Sequence, residues 1–206
     1  MKIAYFRQKN KLVPGILTDK GIIDLCSVSD YFRKREMPDS PLTNDEIGEL
    51  RKAVESAVDQ PGKLLREISL EIGPCVPKPS KIICIGLNYR KHAEESGMPI
   101  PLEPIVFTKY SNTLVNYEQD VYLGTEGEHF DYEVELGVVI GERCKNISKE
   151  DALNHVFGYC VANDLSCRDL QFKSSQWLLG KSLDQFLPLG KYIVTADEVG
   201  DPQRLK

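Results

Sequence analysis

Three carboxylates stand where a strand pattern would bring them together. Glu133 and Glu135 flank Val134 in DYEVELGVVIGER. Because side chains alternate along a strand, both project from one face, about 7 Å apart. The apolar run VELGVVIG reads as a central, buried strand. Two like charges buried together are costly unless a proton or a cation offsets them. A generic pair of this kind also occurs as solvent-facing acids on a half-exposed strand. What shifts the reading is Asp164, at the end of the apolar strand YCVAND, which would bring a third carboxylate to the mouth of the same sheet. Three carboxylates with water suit Mg²⁺ or Mn²⁺, and the lack of clustered His and Cys argues against Zn²⁺.

A second constellation is His92 and Glu95 in RKHAEE, three residues apart and so on one face of a predicted helix. Such a pair can hold and deprotonate a water; it is equally common as an exposed pair on a charged helix. Lys181, among apolar neighbours in WLLGKSLDQF, could steady a developing enolate, and Arg168 in SCRDLQ could grip a substrate carboxylate. Lys109, closing VFTKY, could serve substrate in the same way. Each could also be an ordinary ion-pair partner. His129 and His155 read as surface or structural residues, and Cys160 and Cys167 have no His nearby in sequence that would make them nucleophiles. No dinucleotide fingerprint, P-loop, nucleophile elbow or HExxH zinc motif is present.

The elements that must position these groups follow from periodicity. KIAYF, LVPGIL and IIDL, with TDKG at a corner, predict a meander of short strands. After the polar stretch SVSDYFRKREMPDSPLTNDE, the spacing of Ile47, Leu50, Val54 and Val58 predicts an amphipathic helix ending near Pro61-Gly62. The proline-rich GPCVPKPSK stiffens the backbone and reads as a junction between an N-terminal region, 1–75, and a main domain, 76–206. IICIG then reads as a strand buried on both faces, LNYRKHAEESG as a helix and PIVFTKY as a further strand. FGYCVANDLS follows as another, after a short helix in SKEDALNHV capped by Ser148.

Composition bounds the partners. With 206 residues, 41% apolar and 28% charged, the chain has the profile of a globular protein. A net charge of −5 with interspersed signs carries no footprint for nucleic acid. No apolar run approaches the ~20 residues that span a bilayer. Six scattered cysteines without a CxxC pair, and an N-terminus without a signal-like apolar core, suit reduced thiols in the cytoplasm.

Taken in order, IICIGLNYRKHAEE, PIVFTKYSNTLV, FDYEVELGVVIGERC, GYCVANDLSCRDLQ and QWLLGKSLDQFLPLG resemble the core segments of the fumarylacetoacetate hydrolase family. The nearest likeness is to members acting as acylpyruvases, oxaloacetate decarboxylases or tautomerases, and 2-hydroxyhepta-2,4-diene-1,7-dioate isomerases. The resemblance implies an α+β fold, a mixed β-roll with short helices and a small N-terminal β-rich region, forming a homodimer. It implies Glu133, Glu135 and Asp164 as ligands of Mg²⁺ or Mn²⁺, His92 and Glu95 as a water-activating dyad, and Lys181 as an active-site lysine. The implied reaction is C–C hydrolysis, decarboxylation or keto-enol isomerisation of a small 2-oxo or 1,3-diketo acid through a metal-stabilised enolate. The mitochondrial matrix is an alternative compartment in a eukaryote. Family members continue past the position matching Lys206, so the resemblance also implies a roll incomplete at its C-terminal end. The alternative expectation is a non-catalytic relative that binds metal or pairs with a full-length partner.

Overall fold

The computed structural model describes residues 1–29, 44–60, 62–95 and 97–205. Most of the polar stretch that precedes the long helix lies outside the described residues, as does Pro61. The predicted meander forms as β1 (Lys2–Gln8), β2 (Lys11–Thr18) and β3 (Gly21–Asp24), joined by β4 (Leu64–Leu65). These pair in sequence order, and β1 then pairs with β13 (Ile193–Thr195). Beyond β13 come β10 (Val156–Asn163) and β9 (Val134–Ile140), giving one antiparallel seven-stranded sheet in the order β4-β3-β2-β1-β13-β10-β9. One continuous sheet therefore joins the N-terminal strands to the strands that carry the acids.

After the short α1 (Leu25–Val28), the predicted amphipathic helix is α2 (Asn44–Ala57), and it stops earlier than expected: LL of the following segment is β4 and EIS is a 3₁₀ turn. Its apolar stripe works as the spacing implies. Ile47 and Leu50 enter a core with Ile3, Ile16, Leu25, Val139, Phe157 and Ile193, against which Val54 packs. The segment after Ser148 winds as a 3₁₀ turn, Ala152–His155, with Ser148 Oγ accepting the Asp151 N–H.

Two strands depart from expectation. IICIG is β5 (Ile82–Gly86), paired only with β6 (Ile105–Lys109) in a two-stranded antiparallel sheet. One face packs inward while Ile83 and Val106, each 63% exposed, line the other. Likewise β9 is an edge strand rather than a central one, with Val134 68% exposed and Val138 and Ile140 also open. The physical reason is that a short apolar run fits a doubly buried strand without requiring that both faces be covered. Smaller pairings complete the mixed architecture: β8 (Phe130–Asp131) with β11 (Ser166–Cys167), antiparallel, and β7 (Leu114–Val115) with β12 (Leu187–Pro188), parallel.

Four more short helices follow in the chain: α3 (Arg90–Glu95), α4 (Arg168–Gln171), α5 (Leu178–Lys181) and α6 (Ala196–Val199). Trp177, at the head of α5, fits into the space left by Gly86, where a Cβ would stand 2.3 Å from the ring. It also meets Phe107 edge to face at 5.4 Å. The β5–β6 hairpin is thereby fastened to the helix that carries Lys181. Among the described residues no helix is long and apolar enough to cross a membrane.

Candidate metal centre

The β9–β10 ladder builds the centre. Val134 pairs with Asn163 and Glu135 with Ala162, so Glu133 and Asp164 leave the two strands at the same end. The Asp164 N–H donates to the Glu133 carbonyl at 2.9 Å, and the Glu133 N–H donates to the Asn163 side chain at 3.2 Å. The alternation expected around Val134 holds: Val134 points to solvent while Glu133 and Glu135 turn inward. One carboxylate oxygen each from Glu133, Glu135 and Asp164 lies within 4.8 Å of the others.

Cations surround two of the three acids. Lys181 Nζ stands 2.7 Å from Asp164 Oδ2 and 3.0 Å from Glu133 Oε1. Its ammonium also lies 5.2 Å from the centre of the Phe107 ring, a cation–π distance. Arg168 Nη2 is 2.7 Å from Glu133 Oε1. Burial alone would raise the Glu133 carboxyl, but Lys181 and Arg168 together outweigh it and hold it below the usual range. Glu135 differs. Among the described residues it has no ion pair, and burial, then the charges of Asp164 and Glu133, push its carboxyl up to about 7. It is the acid that keeps a proton near neutrality unless a cation takes the proton's place.

Lys109 and Arg168 are both engaged by neighbouring protein groups. Lys109 is 1% exposed, and Nζ donates to the carbonyls of Leu165 and Phe186, each at 2.9 Å, and to that of Lys181. An ammonium has three N–H donors, and the three carbonyls with Asp164 Oδ1 outnumber them. Burial draws its pKa below the ordinary lysine range, an effect opposed by Asp164, whose Oδ1 lies 2.7 Å away. The Arg168 fork closes on Asp131 Oδ2 through Nε at 3.1 Å and Nη2 at 2.7 Å, while Nη1 donates to Gln171 at 2.9 Å. It braces Glu133 from the side.

His92 and Glu95 lie on α3 as the spacing implies, His92 half-buried and Glu95 exposed. No ion pair joins them among the described residues. His92 adds to the depression of the Asp131 carboxyl, after the larger effect of Arg168. Tyr89, just before the helix, ties this segment to the acidic strand by accepting the Leu136 N–H at 3.0 Å. His155 faces Glu142 at 2.9 Å, and the His129 side chain is 75% exposed.

Sequence reasoning passed over three contributors. Asp131 was legible, since it begins the alternation that Glu133 and Glu135 continue. Gln171 stands one helical turn after Arg168. Ser166 donates to the Asp164 carbonyl at 2.9 Å and reaches Glu133 Oε1 at 3.5 Å, a contact with no local signature. All six cysteines are free thiols. Cys84 lies close to the acids, and burial, then Asp164, push its thiol up to about 12, which keeps it protonated.

The donor set fits a hard divalent cation. All three ligands are carboxylates. Asp164 Oδ1 is buried, and the Lys109 ammonium 2.7 Å away is already shared among three carbonyls, which leaves this oxygen under-satisfied among the described residues. Lys181, Arg168 and Ser166 all address the same Glu133 oxygen, Oε1, leaving Oε2 open among the described residues.

Known proteins match this chain over most of its length. Residues 81–206 match the family described as fumarylacetoacetate (FAA) hydrolase C-terminal. The mitochondrial oxaloacetate tautomerase of Xenopus laevis is 37% identical over 219 residues, spanning all of this chain and 65% of that protein. The fumarylacetoacetate hydrolase of Exiguobacterium antarcticum superposes with a TM-score of 0.70 at 27% identity, covering 98% of this chain and 69% of that one. The maleylpyruvate hydrolase of Sphingobium does so with a TM-score of 0.72 at 26% identity, covering 98% and 70%. The chain thus spans about two thirds of the length of these relatives. The match over most of its length, together with the shared fold, makes this chain a member of the fumarylacetoacetate hydrolase family.

Proposed function

We propose that the chain carries the metal-binding half-site of an enzyme acting beside the 2-oxo group of a small 2-oxo or 1,3-diketo acid. The observation that carries this reading is the convergence of Glu133, Glu135 and Asp164 within 4.8 Å, all three carboxylates at the end of one strand pair. Glu133, Glu135 and Asp164 would hold Mg²⁺ or Mn²⁺, which when bound supplies Lewis acidity toward carbonyl and carboxylate oxygens. Lys181 adds fixed positive charge beside Asp164 and Glu133 and would offset negative charge developing on the substrate oxygen. Arg168 keeps Glu133 oriented, with Asp131 and Gln171 behind it. His92, half-buried on α3, would receive or return the substrate or water proton, with Glu95, three residues on along the same helix, as its carboxylate partner.

Tautomerisation, decarboxylation and C–C hydrolysis share these requirements. Relatives named an oxaloacetate tautomerase and a maleylpyruvate hydrolase support the class of substrate and leave the reaction type open. The test is turnover of oxaloacetate enol and keto forms, acylpyruvates and maleylpyruvate with and without Mg²⁺ or Mn²⁺, beside Asp164→Ala. Cation-dependent turnover of any of them, lost in the variant, supports the proposal; no turnover on the whole panel under any cation rejects it.

A second reading has its own observation. Ile83, Ile85 and Val106 on β5–β6 and Val134, Val138 and Ile140 on β9 leave two apolar faces open. Open edges of this kind suit pairing with another chain, so the protein would act as part of a homodimer or beside a longer partner. Light scattering decides for the homodimer: a monomer across a wide concentration range removes it. Six free thiols suit a reducing compartment, cytoplasm or mitochondrial matrix.

A further inference from the structure

Lys109 lies beneath the acids, buried among backbone carbonyls. Strand β6 alternates so that Phe107 and Lys109 share the inward face while Val106 and Thr108 are exposed. From that face, Phe107 offers its ring to the Lys181 ammonium, and Lys109 offers its own ammonium to the backbone around the acids. The three carbonyls it binds belong to three separate segments. Leu165 directly follows Asp164, Lys181 ends α5, and Phe186 leads into β12. With Asp164 Oδ1 2.7 Å away, one buried ammonium gathers the neighbour of a ligand, the ligand itself and the backbone of the active-site lysine.

We propose that Lys109 is a positioning residue, an internal cation that fixes Asp164 and Lys181 relative to each other. The physics is specific. A carbonyl or hydroxyl in its place could not supply three donors from one atom, and an apolar residue would leave three buried carbonyls without partners. Lys181 spans Glu133 and Asp164 only while its own backbone is held, so loss of the Lys109 ammonium loosens both the lysine and the carboxylate. This proposal rests on the reading of the acids as a cation site for one of its readouts, and not for the other.

The test uses ammonium-selective ¹H–¹⁵N spectroscopy of lysine-labelled protein together with Mn²⁺ titration by electron paramagnetic resonance. In the metal-free wild type, Lys109 should give an ammonium signal protected from exchange with water. Lys109→Gln should remove that signal, broaden or shift the Lys181 signal, and weaken Mn²⁺ about tenfold or more, as outer partners of metal ligands do, while melting stays cooperative. A folded Lys109→Gln protein with the Lys181 signal and the Mn²⁺ affinity of the wild type overturns the proposal. Should that variant not fold, the wild type decides: Mg²⁺ must shift the Lys109 and Lys181 signals with one midpoint, and a Lys109 signal unmoved through saturation overturns it. A wild type that binds no Mn²⁺ would reject the metal reading alone, and the Lys181 signal in Lys109→Gln would still decide the role of Lys109.

Discussion

Asp164 and Glu133 are joined through the backbone, the N–H of the first donating to the carbonyl of the second at 2.9 Å. The two acids therefore leave β9 and β10 at one rung of the ladder, and their separation is set by strand pairing rather than by flexible side chains. Cation binding at this rung should couple directly to stability of the sheet. Saturating Mg²⁺ or Mn²⁺ at a hundredfold excess over Kd should stabilise the protein by about 2.7 kcal/mol. Calorimetry should show the rise in the wild type and none in Asp164→Ala; a rise of equal size in the variant would place the cation elsewhere.

Glu135 sets a pH dependence in the metal-free protein. Its folded pKa of about 7 lies above the unfolded carboxyl value, so the folded state binds the extra proton between the two. The stabilisation is complete below the unfolded pKa and is lost as pH rises through the folded one. With chelator present, melting temperature should fall between about pH 5 and about pH 8, and Glu135→Gln should flatten that fall. Identical slopes in both proteins would contradict the assignment.

Lys181→Met removes the ammonium shared by Asp164 and Glu133 and leaves Asp164, 1% exposed, with Lys109 as its one cation among the described residues. Breaking a buried pair on one side costs about 3–5 kcal/mol. Urea unfolding should show a loss of that order without a change in slope. A loss under 1 kcal/mol, about the worth of a surface pair, would mean that water reaches the carboxylates.

Gly180 lets α5 close on α4. A Cβ there would stand 2.4 Å from the Cys167 carbonyl oxygen and the Gln171 nitrogen, both backbone atoms. Gly180→Ala should cost about 1–3 kcal/mol as an overpacked site and displace Lys181, the next residue. Mn²⁺ affinity and melting temperature should fall together; unchanged values for both would show that α5 can shift without moving its lysine.

Tyr89→Phe removes one hydroxyl, the acceptor of the Leu136 N–H on an edge strand that water can reach. Stability should change by about 1 kcal/mol or less. Hydrogen exchange in residues 90–95 should quicken if this bond is what holds α3 to β9, and an unchanged pattern would show that it is not.

By itself, the sequence determined the local facts. Period-two alternation put Glu133 and Glu135 on one side of a strand, period three to four put Ile47 and Leu50 on the core face of α2, and five ordered segments pointed to the family. These are properties of neighbouring residues, and the chain carries them whatever it packs against. Tertiary structure alone decided the rest. A run such as IICIG or VELGVVIG states that a strand is apolar, not whether its second face is covered, and β5 and β9 both leave that face open. Lys109, Arg168 and Lys181 were three similar cations in sequence. Only folding distinguished them, because a cation's role depends on which acceptors surround it: three carbonyls for Lys109, Asp131 and Gln171 for Arg168, two carboxylates for Lys181.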